Sequence, residues 1–189
     1  THCESSAASD VYKRQSWHQD ARYIGLEPHD WVTAWLAISD VTEGNGCMRM
    51  VPGSHRTQLV EHVDTYDEDN LLTRGQTVPD VDEAATVAVP LKPGQLSLHH
   101  PRIVHGSGPN MSGSRRIGFA IQSYIATNVD QVIGKIWVQT ARGTDSFGYH
   151  EQAPRPQEPM RPEDIAFRDL TNEKLSQIFY AGAEQKGRY

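Results

Sequence analysis

Thiols and positive charge are both scarce in this 189-residue sequence. Cys3 and Cys47 are its only cysteines, too few for a disulfide framework, so a reducing compartment, the cytoplasm, is expected. Lysine and arginine number 18 against 24 aspartates and glutamates, for a formal net charge of −6. With that balance no basic patch dominates the surface, which argues against a nucleic-acid partner and for a small-molecule one. Also lacking is any apolar run near the roughly 20 residues of a membrane-spanning helix. With a mean hydropathy of −0.60 and a mass of 21.1 kDa, the chain reads as one globular domain with one core and no membrane partner.

Residues 1–15 are small and polar and have no apolar stretch of the kind a secretory signal needs. The run Asp10-Val11-Tyr12-Lys13-Arg14-Gln15 resembles the in-frame translation of a sequencing-library adapter. Residues 1–15 are therefore expected to be a non-native leader, and residues 16–189 a single domain.

Helical periodicity is missing from residues 16–125, where short β-prone segments alternate with turn signals. Residues 31–41 read as a strand buried on both sides, with Thr33, Trp35 and Ala37 on one face and Val32, Leu36 and Ile38 on the other. After the turn Glu43-Gly44-Asn45-Gly46, residues 47–51 read as a second strand forming a hairpin with the first. Further strands are expected at 86–89, 95–99, 103–105, 116–125 and 133–140. Between them, residues 61–83 are polar and acidic and read as a long excursion that covers a site. The proline-rich stretch 153–162 reads as an extended tether. Beyond it, Leu175, Ile178 and Phe179 stand at helical spacing before Gly182 and predict a C-terminal helix against the sheet. The expected class is mainly β with one C-terminal helix.

Chemistry concentrates in His18-Gln19-Asp20 and in His105, 85 residues beyond Asp20. Residues two apart in a strand point the same way, so His18 and Asp20 can offer an imidazole and a carboxylate to one point. A second imidazole from His105 would complete a set of two histidines and one carboxylate. That set occupies one face of an octahedron, leaves three positions open and suits non-haem Fe(II). On the alternating segment 116–125, Arg116 shares a face with Gly118, Ala120 and Gln122, which predicts space beside the guanidinium. A planar, permanently charged fork of this kind holds a dicarboxylate by paired hydrogen bonds. A surface salt bridge is the plainer fate of an arginine.

The order Trp17-His18-Gln19-Asp20, Asn45-Gly46-Cys47-Met48, Pro52-Gly53-Ser54-His55, His105-Gly106-Ser107-Gly108-Pro109-Asn110 and Arg116-Ile117-Gly118 resembles the phytanoyl-CoA dioxygenase family. The resemblance runs from about residue 16 to residue 125. It implies a double-stranded β-helix (a cupin-like jelly roll) that uses Fe(II), 2-oxoglutarate and O2 and releases succinate and CO2. His18, Asp20 and His105 would then bind iron, Arg116 and Ser107 the distal carboxylate of 2-oxoglutarate, and Trp35 would line the pocket. In related halogenating enzymes a small residue replaces the metal carboxylate, so Asp20 implies hydroxylation of a small organic substrate. The resemblance also implies an N-terminal portion of about a hundred residues before the His-x-Asp strand, so this domain is expected to be N-terminally truncated. A different class stays open: a non-catalytic metal-binding β-barrel, either a sensor or storage module or an inactive truncated remnant.

Among the other histidines, His29, His62 and His150 show no partner pattern and are expected in surface or loop roles, while His55 serves a turn. One of His99 and His100 must point inward if that segment is a strand. Cys47 is expected as a small buried hydrophobe.

Overall fold

The computed structural model describes residues 3–4, 7–8 and 14–184 of the chain. In chain order its strands are β1 (Cys3–Glu4), β2 (Ala7–Ala8), β3 (Gln15–His18), β4 (Leu26–Glu27), β5 (Trp31–Ala37), β6 (Met48–Met50) and β7 (Val63–Asp64), followed by β8 (Gln76–Thr77), β9 (Val87–Val89), β10 (Leu96–His99), β11 (His105–Ser107), β12 (Arg116–Ile125) and β13 (Asp130–Gln131). One helical turn, α1 (Ala21–Ile24), follows β3, and one long helix, α2 (Pro162–Phe179), closes the chain. Residues 10–13 of the expected leader lie outside the described residues.

Two sheets carry the fold. A five-stranded sheet runs β1-β12-β5-β10 with β2 also on β12, and a four-stranded sheet runs β3-β11-β6-β9. All of these pairings are antiparallel. Trp35, Ala37 and Ala120 from the first sheet pack with Cys47 and Met48 from the second in one buried cluster. A second cluster gathers Ala21, Ile24, Leu26, Trp31 and Val129, with Phe179 of α2 packed against it. The mainly β architecture and the C-terminal helix agree with the sequence; Leu175 and Ile178 are the buried residues of α2. Among the described residues no helix is long and apolar enough to cross a membrane.

Several local expectations are corrected. The segments 31–41 and 47–51 do not form a hairpin: β5 pairs with β10 and β12, whereas β6 pairs with β9 and β11. The connection instead carries the chain from one sheet to the other, and Asn45 shapes it by accepting from the Thr42 N–H at 2.8 Å and donating to the Asp40 carbonyl at 2.9 Å. β5 is also not buried on both faces, since Val32 and Leu36 are half-buried and Ile38, just beyond it, is exposed. The strand expected at 103–105 starts instead at His105. No strand forms at 133–140, where Gly134 takes a left-handed φ of 68° and only Val138 makes a bridge, to Gln152.

The excursion 61–83 holds the small β7–β8 ladder. Its Arg74 forms an ion pair with Asp64 and donates to the Phe179 carbonyl at 3.2 Å, which fastens the excursion to the end of α2.

Candidate active site

Antiparallel register places His105 directly across from His18 on neighbouring strands of the four-stranded sheet, with ring centroids 4.2 Å apart. β3 stops at His18, and the chain turns into α1 with Asp20 at its N-cap position. Asp20 is therefore brought back over the two imidazoles by a turn, rather than by the strand alternation that the sequence suggested. One ligand atom from each of His18, Asp20 and His105 lies within 4.8 Å of the others, and all three residues are buried. Asp20 Oδ1 stands 3.5 Å from His18 Nε2 and 3.8 Å from His105 Nε2.

The donor atoms are free for a metal because the rest of each ring is already engaged. His18 Nδ1 lies 2.8 Å from the Ser16 carbonyl and His105 Nδ1 lies 3.0 Å from the Ile103 carbonyl. A carbonyl only accepts, so each Nδ1 donates its proton there and each Nε2 is left turned to the centre. Burial, reinforced by neighbouring His18, pushes His105 down to about 3, so its imidazole is neutral at physiological pH. Burial pushes the Asp20 carboxyl up, but attraction from His105 and contacts with His18 and His99 outweigh it and hold Asp20 well below the usual carboxylate range. The ionised Asp20 carboxylate and the neutral His105 imidazole are both in the deprotonated form that metal binding uses.

Gln19, between the two donors, is fully buried and is spent on support. Its side chain donates to the Arg102 carbonyl at 2.7 Å and accepts from the Val60 N–H at 2.9 Å. Its backbone N–H donates to His62 Nε2 at 3.0 Å. His62 is thus a half-buried partner of the donor segment and not the plain loop residue expected. His150 likewise has a partner, donating to the Val129 carbonyl at 2.7 Å. His99 also comes to the site, with Nε2 3.7 Å from Asp20 Oδ2. The buried-exposed alternation of β10 is the signal that separates it from His100.

A cavity of about 130 Å³ opens over the donors. Trp35 lines it, as do Leu71 and Leu72 of the excursion and Phe179 of α2. The expectation of free space beside Arg116 is corrected: a Cβ at Gly118 would fall 1.9 Å from Cζ2 of Trp35, so the missing side chain admits the indole. Arg116 is buried one residue pair away on the same face of β12. Burial lowers its pKa, with Cys47 close enough to oppose this, and a guanidinium stays charged in such a setting. Ser107, also buried, is the cross-strand partner of Met48, the residue after Cys47. Neither Arg116 nor Ser107 lines the cavity over the donors. Arg116 Nε and Ser107 Oγ are both buried without a hydrogen-bond partner. Two such atoms fit the oxygens of a buried carboxylate.

The sequence profile of the phytanoyl-CoA dioxygenase (PhyH) family matches residues 5–118. A protein described as a probable phytanoyl-CoA dioxygenase from Caenorhabditis elegans is 33% identical over 99 residues, covering 51% of this chain and 32% of its own length. A probable alpha-ketoglutarate-dependent hypophosphite dioxygenase from Stutzerimonas stutzeri is 31% identical over 120 residues, covering 62% of this chain and 42% of its own. The chain thus spans about a third to two fifths of these curated relatives. Among solved structures, the apo form of the non-heme monooxygenase ThoJ superposes with a TM-score of 0.81 at 30% identity, over 95% of this chain and 65% of that one. With 114 of its 189 residues under the profile, the chain belongs to the phytanoyl-CoA dioxygenase family.

Proposed function

We propose that this chain carries the catalytic centre of a 2-oxoglutarate-dependent non-haem iron dioxygenase that hydroxylates a small organic molecule. The observation that carries the reading is the buried His18, Asp20 and His105 set, with its ligand atoms within 4.8 Å of one another and each imidazole Nδ1 anchored on a backbone carbonyl. Family membership supports the same chemistry. The two sheets packed face to face support a double-stranded β-helix, in which residues 16–189 form one dioxygenase domain.

In this reading His18 and His105 would hold Fe(II) through Nε2 and Asp20 through a carboxylate oxygen, a donor set that suits non-haem iron. Arg116 and Ser107 hold the distal carboxylate of 2-oxoglutarate, and their unpartnered buried atoms support that role. When bound, iron and 2-oxoglutarate supply an O2-dependent oxidative decarboxylation to succinate and CO2 that is coupled to hydroxylation of the substrate. Trp35 keeps the indole wall between the arginine and the cavity, and Leu71, Leu72 and Phe179 keep water from the substrate. Asp20 supports hydroxylation over halogenation, because its oxygen fills the position that a halide would need.

Anaerobic Fe(II) titration in the presence of 2-oxoglutarate tests the reading. A weak visible charge-transfer band of the 2-oxoglutarate chelate is the expected result. A folded, iron-loaded protein without that band would be a metal-binding β-barrel and not an oxygenase.

A further inference from the structure

The two oxygens of Asp20 face different partners. Oδ1 turns toward the donor imidazoles, at 3.5 Å from His18 Nε2 and 3.8 Å from His105 Nε2. Oδ2 accepts a hydrogen bond from Thr33 Oγ1 at 2.8 Å and lies 3.7 Å from His99 Nε2. Thr33 and His99 are themselves directly paired across β5 and β10, and only 3% and 5% of their surfaces are exposed. The pair therefore belongs to the packed interior of the five-stranded sheet. Each sheet thus sends one cross-strand pair to Asp20: His18 and His105 to one oxygen, Thr33 and His99 to the other.

His99 differs from the two donor histidines in what its second nitrogen does. Their Nδ1 atoms each reach a backbone carbonyl, whereas His99 Nδ1 is buried with no partner. Burying an imidazole costs free energy unless its polar atoms are used. His99 turns Nε2 toward Asp20 Oδ2, and its ring lies 4.8 Å from that of His105.

We propose that Thr33 and His99 are positioning residues that clamp Asp20 Oδ2 and so hold the carboxylate to metal coordination through Oδ1 alone. The proposal rests on the metal-centre reading of His18, Asp20 and His105. Its consequence follows from counting positions. Three single-atom protein ligands leave three places on an octahedron, two for a chelating 2-oxo acid and one for O2. A carboxylate free to swing and bind through both oxygens would take a fourth place and leave none for O2 once the 2-oxo acid is bound. The Thr33 hydrogen bond on Oδ2, with His99 packed beside it, opposes that swing, because reaching the metal would break the bond and bury the hydroxyl unpaired. Partners of this kind behind a metal ligand change metal affinity by about 10–100-fold when removed.

The test uses the full chain, anaerobic Co(II) titration, and nitric oxide as a probe of the last position on the Fe(II)–2-oxoglutarate complex, read by electron paramagnetic resonance. His99→Phe is expected to weaken Co(II) binding by about 10-fold, and His99→Gln, whose amide can still donate to Oδ2, to recover most of the loss. Thr33→Val, close in shape, is expected to lower the yield of the nitric oxide signal and to do so further when combined with His99→Phe. Thr33→Val also decides the matter should His99→Phe fail to fold, which circular dichroism reports. Wild-type Co(II) affinity and nitric oxide signal in the folded variants would overturn the clamp, as would a His99→Gln protein no better than His99→Phe. Failure of the wild-type chain to bind Co(II) at all would instead overturn the metal-centre reading itself.

Discussion

The two ends of the site are finished to different degrees by the chain itself. At the donor end, His18 and His105 each have Nδ1 anchored on a carbonyl, and Asp20 is held by Thr33. At the Arg116 end, a guanidinium nitrogen and the Ser107 hydroxyl are buried with nothing to bond. The first end is organised before any ligand arrives and owes its geometry to strand register at the two histidines and to the turn that carries Asp20. The second offers two unpartnered donors, and an incoming anion would suit a buried guanidinium best. Metal affinity and 2-oxoglutarate affinity should therefore be separable by mutation.

Asp20→Ala should break the donor end most severely. Removing the only carboxylate of the set is expected to weaken Co(II) binding by at least about 100-fold, beyond the loss caused by changing an outer partner, as measured by anaerobic titration calorimetry. Arg116→Ala should break the other end alone. Metal affinity is expected to hold while 2-oxoglutarate binding falls about 30-fold or more, the scale for truncating one partner of a buried charged pair. A parallel loss of both affinities would show the two ends to be one unit.

Gly118→Ala acts on the wall between them. The new methyl would overlap the Trp35 indole, and overpacking of this kind costs about 1–3 kcal/mol of stability, measurable by denaturant unfolding. The smallest effect comes at His62, which sits behind the donor end and accepts from the Gln19 N–H. Burial pushes His62 down to about 4 from its ordinary 6.5, so its neutral form supports the fold fully above pH 6.5, and that support fades as pH falls toward 4. His62→Gln should flatten the thermal-stability profile between those pH values, as thermal unfolding followed by circular dichroism would report.

Much of the donor end was legible in the sequence because a His-x-Asp tripeptide and a distant histidine are distinctive, and Arg116 was legible because β12 alternates over its first six residues. Pairing partners were not legible. Turn residues after β5 announce a reversal of direction but do not say which sheet the chain enters next, so the expected hairpin dissolved into two sheets. Small residues were ambiguous in the same way: Gly118 announces that something large comes close, and the fold makes it Trp35 instead of empty space by Arg116. Thr33 was legible only as one strand-face residue, and His99 only as one of two histidines of which one points inward, because neither belongs to a motif. Their role arises from cross-strand register between β5 and β10, which a linear reading cannot supply. The strand expected at 133–140 failed because Gly134, in its left-handed conformation, lets Ile178 of α2 approach, and a Cβ there would fall 2.8 Å from it.

Leu71, Leu72 and Phe179, which wall the cavity, lie outside the two strands that carry the donor histidines. This division gives the protein room to diversify: substitutions at the rim can change which molecules fit while the reaction centre is inherited intact. Arg74 sets one limit on that freedom, because it joins the excursion to the last turn of α2. A new specificity would therefore tend to require paired changes in two distant stretches of sequence, one around residue 72 and one around residue 179.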